Sequence, residues 1–291
     1  MLPIAMVTGA LTYQWMEKLS FLTPYLIFAM LLITFCKLSW KDIRFHPAHI
    51  WLLLIQLVGS IAIYLLIRPW NEVLAQGALL CLLTPTATAA VVITGMLGGK
   101  VGFLTAYVLF CNLAIAVAAP VYYSFIGVHE DFSFLISVWY ICQKIFPILI
   151  FPLILAVALR NWVPKVHKAL IRIPNLTFYL WAIALTIVTG ITVQFVLNNE
   201  NPDYSTEIGL AVMALILCCL QFVVGRRIGR RYGDPVSSGQ GLGQKNTILA
   251  IWMAQSFLHP LVCIAPAAYV LWQNTINSYQ LWRQSRRNAT L

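Results

Sequence analysis

Ten apolar segments, joined by loops too short to fold alone, account for most of the 291 residues: 2–16, 21–37, 48–67, 72–97, 101–127, 139–160, 175–197, 207–228, 240–258 and 261–282. A helix that crosses the hydrocarbon core needs about 20 apolar residues. The segments therefore predict an all-α integral membrane protein of ten transmembrane helices, with no separate soluble domain. At 60% hydrophobic and 10% charged residues, with a mean hydropathy of +0.82, the composition excludes a soluble globular chain. The stretch 132–143, ahead of the sixth segment, reads as a partly amphipathic lead-in at the surface. Segment 2–16 lacks a basic leader and a small-residue cleavage site, so a short first span is expected there rather than a signal peptide.

The net charge of +10 is carried by short basic clusters between apolar segments, an orientation signal rather than a nucleic-acid patch. Lys37, Lys41, Arg44, Lys100, Arg160, Lys165, Lys168, Arg172, Arg226, Arg227, Arg230, Arg231, Arg283, Arg286 and Arg287 fall on one side of the alternating loops. The other side has Lys18, Arg68 and Lys144, with seven of the nine acids. The positive-inside rule then places both termini in the cytoplasm of a multi-pass protein of the cell (inner) membrane.

All nine acids (Glu17, Asp42, Glu72, Glu130, Asp131, Glu200, Asp203, Glu207, Asp234) lie in loops or at span ends. No carboxylate pair, His-rich cluster or Ser/His couple offers a membrane enzyme its chemistry. The seven cysteines fall in or beside apolar segments without metal-ligand spacing and read as small core residues. Among the 19 basic residues only Lys245 is left over from the loops.

Ten spans divide into two sets of five that start from opposite sides, giving inverted repeats at about 1–127 and 132–287 within a single domain, 1–291. The fourth span of the first set is interrupted by Thr84-Pro85-Thr86-Ala87-Thr88, and that of the second by Gly239, Gly241 and Gly243 ahead of Lys245. Each such glycine lowers helix propensity by roughly 1 kcal/mol relative to Ala. Helices 4 and 9 are thus expected to lose helical bonding near 84–88 and 239–246, and to cross there. Matched interruptions in inverted repeats mark the binding site of secondary transporters. A lysine at such a break is a functional-site candidate; at a helix end it would instead snorkel to the headgroups.

The segment LTPTATAAVVITGMLGGKVGFLTAYVL, 83–109, resembles the fourth and fifth helices of the bile acid:sodium symporter family, where the fourth carries Pro-Gly-Gly-Thr-Ala-Ser-Asn. GLGQKNTILAIWMAQSFLHPLVCIAPAAYVLWQN, 241–274, resembles the ninth and tenth, with the family's Glu-x-Gly-x-Gln-Asn, Pro-x-Ala and Trp-x-Asn. The resemblance implies two broken, crossing helices, a panel of helices rocking against a core, and transport of an organic anion with sodium. Asn246 and Thr247 match the family pattern, and Gln56 matches a ligating Gln of the third helix. The family's sodium-binding Glu, however, falls at Gly241 and its Gln at Lys245. Its Ser-Asn pair falls at Ala90 and Val91, and two hydroxyl ligands fall at Leu104 and Val108.

With those oxygens gone, no sodium, metal or other cofactor is expected, and the Lys245 ammonium stands where a cation stood. It serves either as a permanent counter-ion to an anionic substrate or as a proton carrier. The candidate substrate and coupling residues are Lys245, Asn246, Thr247, Gln56, Thr84, Pro85, Thr86, Thr88, Gly241 and Gln244. The three threonines either line the crossing or bond back to their own helix. Asn112, Gln194, Gln221 and Gln255 read as inter-helix hydrogen-bonding residues, and His259 as a turn residue. The expected function is secondary transport, sodium-independent, of a small or amphipathic organic anion (bile acid-like, sterol acid or carboxylate). The expected partners are that anion and the bilayer, not nucleic acid. The alternative is a transporter-derived sensor or non-transporting binder.

Overall fold

The computed structural model describes residues 2–38, 43–126, 133–173, 176–198 and 203–289. Lys41, Asp42, Glu130, Asp131 and Glu200, all used in the charge count, lie outside them. Among the described residues every apolar segment is helical and there is no strand, only one isolated backbone bridge. The helices are α1 (Leu2–Leu11), α2 (Tyr13–Met16), α3 (Thr23–Cys36), α4 (Pro47–Ile67), α5 (Glu72–Leu83), α6 (Ala89–Met96), α7 (Val101–Ile126), α8 (Phe134–Leu149), α9 (Phe151–Trp162), α10 (Pro164–Arg172), α11 (Leu176–Leu197), α12 (Tyr204–Arg231), α13 (Pro235–Gly243), α14 (Thr247–Phe257) and α15 (Ile264–Ala289).

Local chemistry sets the starts of the helices that matter for the site. His46 Nδ1 accepts from the Ala48 N–H while His49 Nδ1 accepts from the His46 N–H, and Pro47 opens α4. Asn71 Oδ1 takes the Leu74 N–H at 2.9 Å to cap α5. Asp234 Oδ1 takes the Ser237 N–H at 3.1 Å to cap α13, again with proline at the first position.

Among the described residues six helical stretches are long and apolar enough to cross a membrane: Tyr13–Cys36, Pro47–Ile67, Val101–Ile126, Phe134–Trp162, Leu176–Leu197 and Tyr204–Arg231. The remaining apolar segments are divided or short. α1 has 10 residues, a length of about 15 Å. The fourth segment is split into α5 and α6, and the ninth into α13 and α14. The surface lead-in expected at 132–143 is corrected. From Phe134 onward the chain is already in α8, a continuous helix to Leu149. Lys144, counted with the loops, stands within that helix, its ammonium 4.3 Å from the Tyr140 ring centroid.

The chain forms two compact units, each drawn from both halves of the sequence. The first comprises Met1–Leu38, Ala116–Asp203 and Ile251–Cys263. In it α1 and α2 pack on α11, where Gly190 is required: a Cβ there would collide with the Met16 side chain and the Gly9 carbonyl. The Tyr123 hydroxyl reaches Met253 Sδ at 3.4 Å and its ring stacks on Phe257. The second unit comprises Ser39–Ile115, Tyr204–Ala250 and Ile264–Leu291. There α4 packs on α5, and α12 on α5, α13 and α15. Both helix interruptions belong to this second unit.

Candidate functional site

Proline 85 has no N–H to continue a helix and restricts the residue before it to extended backbone. Thr84 accordingly has ψ 134°, and α5 ends at Leu83. Helical structure resumes at Ala89, so residues 84–88 are unwound. The second interruption is shorter than expected. α13 remains helical through Gly243, and only 244–246 leave the helix, starting with Gln244 at φ −101°, ψ 111°. Gly239, Gly241 and Gly243 are therefore not breakers. Their missing side chains make room for neighbours: a Cβ at 239 would meet the Arg226 stem, at 241 the Tyr107 ring and at 243 the Phe222 ring. Close packing outweighs a propensity cost of roughly 1 kcal/mol per glycine.

The two unwound segments pair with each other. Thr86 and Lys245 form an antiparallel bridge. The Ala87 N–H donates to the Gln244 carbonyl at 2.9 Å and the Asn246 N–H to the Pro85 carbonyl at 2.9 Å. Backbone that leaves the helix in an apolar surrounding must find partners in protein, and each break supplies them for the other.

Side chains complete the pairing. The final carbonyls of a helix have no partner within it. Here Leu80 O accepts from the Thr84 N–H (3.0 Å) and hydroxyl (2.6 Å), and Cys81 O from Gln221 Nε2 (3.2 Å). Leu82 O accepts from Lys245 Nζ at 2.8 Å. Leu83 O and Thr84 O accept from Gln56 Nε2 at 3.0 and 2.6 Å. Gln56 Oε1 in turn accepts from the Tyr107 hydroxyl at 2.8 Å and from Cys111 Sγ at 3.2 Å. On the other helix the Thr86 hydroxyl donates to Gly241 O (2.6 Å) and the Tyr269 hydroxyl to Gly243 O (2.8 Å). Gln273 Oε1 accepts from the Lys245 N–H at 2.8 Å, and its Nε2 donates to Lys245 O at 3.3 Å.

Lys245 is 2% exposed. It does not snorkel, because its ammonium is held on a carbonyl at the C-terminal end of α5. That end carries the negative pole of the helix dipole and favours a cation. The free thiols of Cys81, Cys111 and Cys218 lie within electrostatic reach of the ammonium.

The remaining candidates separate as follows. Thr84 bonds back to its own helix, whereas Thr86 reaches across to the other. Thr88, half-buried, opens α6 without a side-chain cap. Asn246 Oδ1 accepts from the Leu249 N–H at 3.4 Å, capping α14, and Thr247 is buried in its first turn. Gln244 is buried, and its Oε1 has no hydrogen-bond partner among the described residues. Where the family resemblance expects oxygen ligands, Ala90, Leu104 and Val108 are buried apolar side chains, and Gly241 has no side chain. Gln194 donates to Glu17 at 2.6 Å, and Asn112 bonds back to Val108 O. His259 sits in a non-helical turn, where its Nδ1 accepts from the Leu261 N–H at 3.3 Å.

Tyr107, Cys111, Tyr269 and Gln273 were not singled out by the sequence reading. One signal was present: Tyr269, Gln273 and Asn277 recur every four residues on α15 and so share a face. Asn277 extends that face by accepting from Gln240 Nε2 at 2.9 Å. Among the described residues no three His, Cys, Asp or Glu side chains come together as a metal site would need.

An all-helical membrane protein with two interrupted helices joined at a buried polar centre has the architecture of transporters built on discontinuous helices. The chain belongs to the sodium bile acid symporter family, whose model matches residues 23–200. The matched stretch includes the first interruption and ends before the second. Among curated proteins no match to the chain is found.

Proposed function

We propose that this family member is a secondary transporter of a small or amphipathic organic anion that works without sodium, with Lys245 in the place of the bound cation. The observation that carries the reading is the 2.8 Å bond from Lys245 Nζ to Leu82 O at the junction of the two broken helices. Sodium entering a protein needs several oxygens to replace its hydration shell. At the positions where the family resemblance sets those oxygens stand Ala90, Val91, Leu104, Val108, Gly241 and an ammonium. That set suits a tethered positive charge and not a free cation. The charge is available to balance an anion bound near the breaks, where Gln244 Oε1, Asn246, Thr247 and Thr88 are the polar groups closest in sequence to Lys245 and Thr86.

The reading takes the ten apolar segments as two inverted sets of five, with both termini cytoplasmic in the inner membrane. The matched interruptions support this, since they occupy the fourth segment of each set and bond to each other. The two compact units, each assembled from both sets, supply the separate bodies that alternating access requires.

Uptake of labelled cholate into proteoliposomes containing the purified chain tests the proposal. Accumulation above that in protein-free vesicles is expected in choline medium. Saturable binding with no uptake would replace the transporter by a non-transporting binder.

A further inference from the structure

The link between α9 and α11 is itself a two-faced helix, α10, PKVHKALIR. On a 3.6-residue period Lys165, Lys168 and Arg172, at i, i+3 and i+7, form one stripe, and all three are exposed. The half-buried positions, His167 and Leu170, point the opposite way, toward the α3 and α9 helices that α10 touches. Trp162, 83% exposed, stands just ahead of the helix, and Val166 and Ile173 are exposed along its flank.

No Asp or Glu occurs between 132 and 199, so the stripe has no acidic partner in its own stretch of chain. Phe134–Trp162 and Leu176–Leu197, the candidate spans on either side, hold α10 at a membrane–water boundary. An orientation signal alone requires basic residues in a loop. It does not require them on one face of a helix, with an indole and aliphatic side chains exposed beside them. Short helices of that construction lie in the interface plane, and their basic faces are attracted to anionic headgroups.

We propose that α10 is an interfacial helix that binds an acidic phospholipid leaflet, with Lys165, Lys168 and Arg172 on headgroup phosphates and Trp162, Val166 and Ile173 at the acyl boundary. The attraction depends on charge and therefore falls with salt. The test uses the full chain in nanodiscs of phosphatidylcholine alone or of phosphatidylcholine with phosphatidylglycerol, reading amide hydrogen exchange over 160–173. Exchange is expected to be roughly fivefold slower in the acidic discs, with the difference erased by high salt and by Lys165→Gln/Lys168→Gln/Arg172→Gln. Exchange over α12 in the same samples reports whether the triple variant is folded. A second variant, Lys165→Arg/Lys168→Arg, keeps the charge and should keep the protection. Equal exchange in the two lipids, as binding to an acidic protein instead would give, overturns the proposal. So does lipid-dependent protection that survives the triple substitution in a folded protein.

Discussion

Thr86 and Lys245, 159 positions apart in the chain, face each other as an antiparallel bridge between two interrupted helices. The bridge gives each unwound segment the backbone partners it lost on leaving the helix. It also brings the Lys245 ammonium to Leu82 O, one turn back on the first helix. A short pairing of this kind holds a fixed geometry without a continuous helix, which a polar centre within a membrane needs.

Lys245→Met keeps bulk and removes the donor. Leu82 O is then a buried carbonyl without its partner, at a cost of about 1–3 kcal/mol. A lower melting temperature in detergent is expected, together with cholate binding weakened at least about tenfold, or 1.4 kcal/mol. Wild-type binding by a variant that expresses and melts normally would remove Lys245 from the anion site.

Gln56 and Tyr107 rank in a definite order. Gln56→Leu leaves two carbonyls and one phenol without partners, whereas Tyr107→Phe leaves Gln56 Oε1 still bonded to Cys111. The first substitution is expected to cost several kcal/mol and the second about 1 kcal/mol. Melting temperatures of the two variants, measured side by side, check the order.

Gly243→Ala separates the two explanations of the glycine-rich stretch. Were the glycines present to weaken the helix, alanine would stabilise α13 by roughly 1 kcal/mol. Because a Cβ at this position runs into the Phe222 ring, a lower melting temperature is expected instead. A rise in melting temperature would contradict the packing role.

The first interruption was legible in the sequence to the residue, because proline acts locally: it removes an N–H and fixes the backbone before it. The second was misjudged by several residues. Gly239, Gly241 and Gly243 carry a local propensity, but their surroundings are tertiary: Arg226, Tyr107 and Phe222 come from other helices. Lys245 stood out because it was the one cation not accounted for by loops. Its partner did not, since a backbone carbonyl such as Leu82 O has no signature in a sequence. Gln273 and Tyr269 lay on one helical face yet read as ordinary members of an apolar span. Nothing in the pattern of α8 showed that its helix begins as early as Phe134, because hydropathy marks membrane depth rather than helix ends.

The central claim is that a tethered ammonium does the work of a bound cation. Equilibrium binding of labelled cholate to the purified chain, with sodium replaced by potassium or by choline at constant ionic strength, tests it most directly. The affinity is expected to be the same in all three media. A tenfold loss without sodium, about 1.4 kcal/mol, would mean that a cation site exists elsewhere and that Lys245 does not replace it.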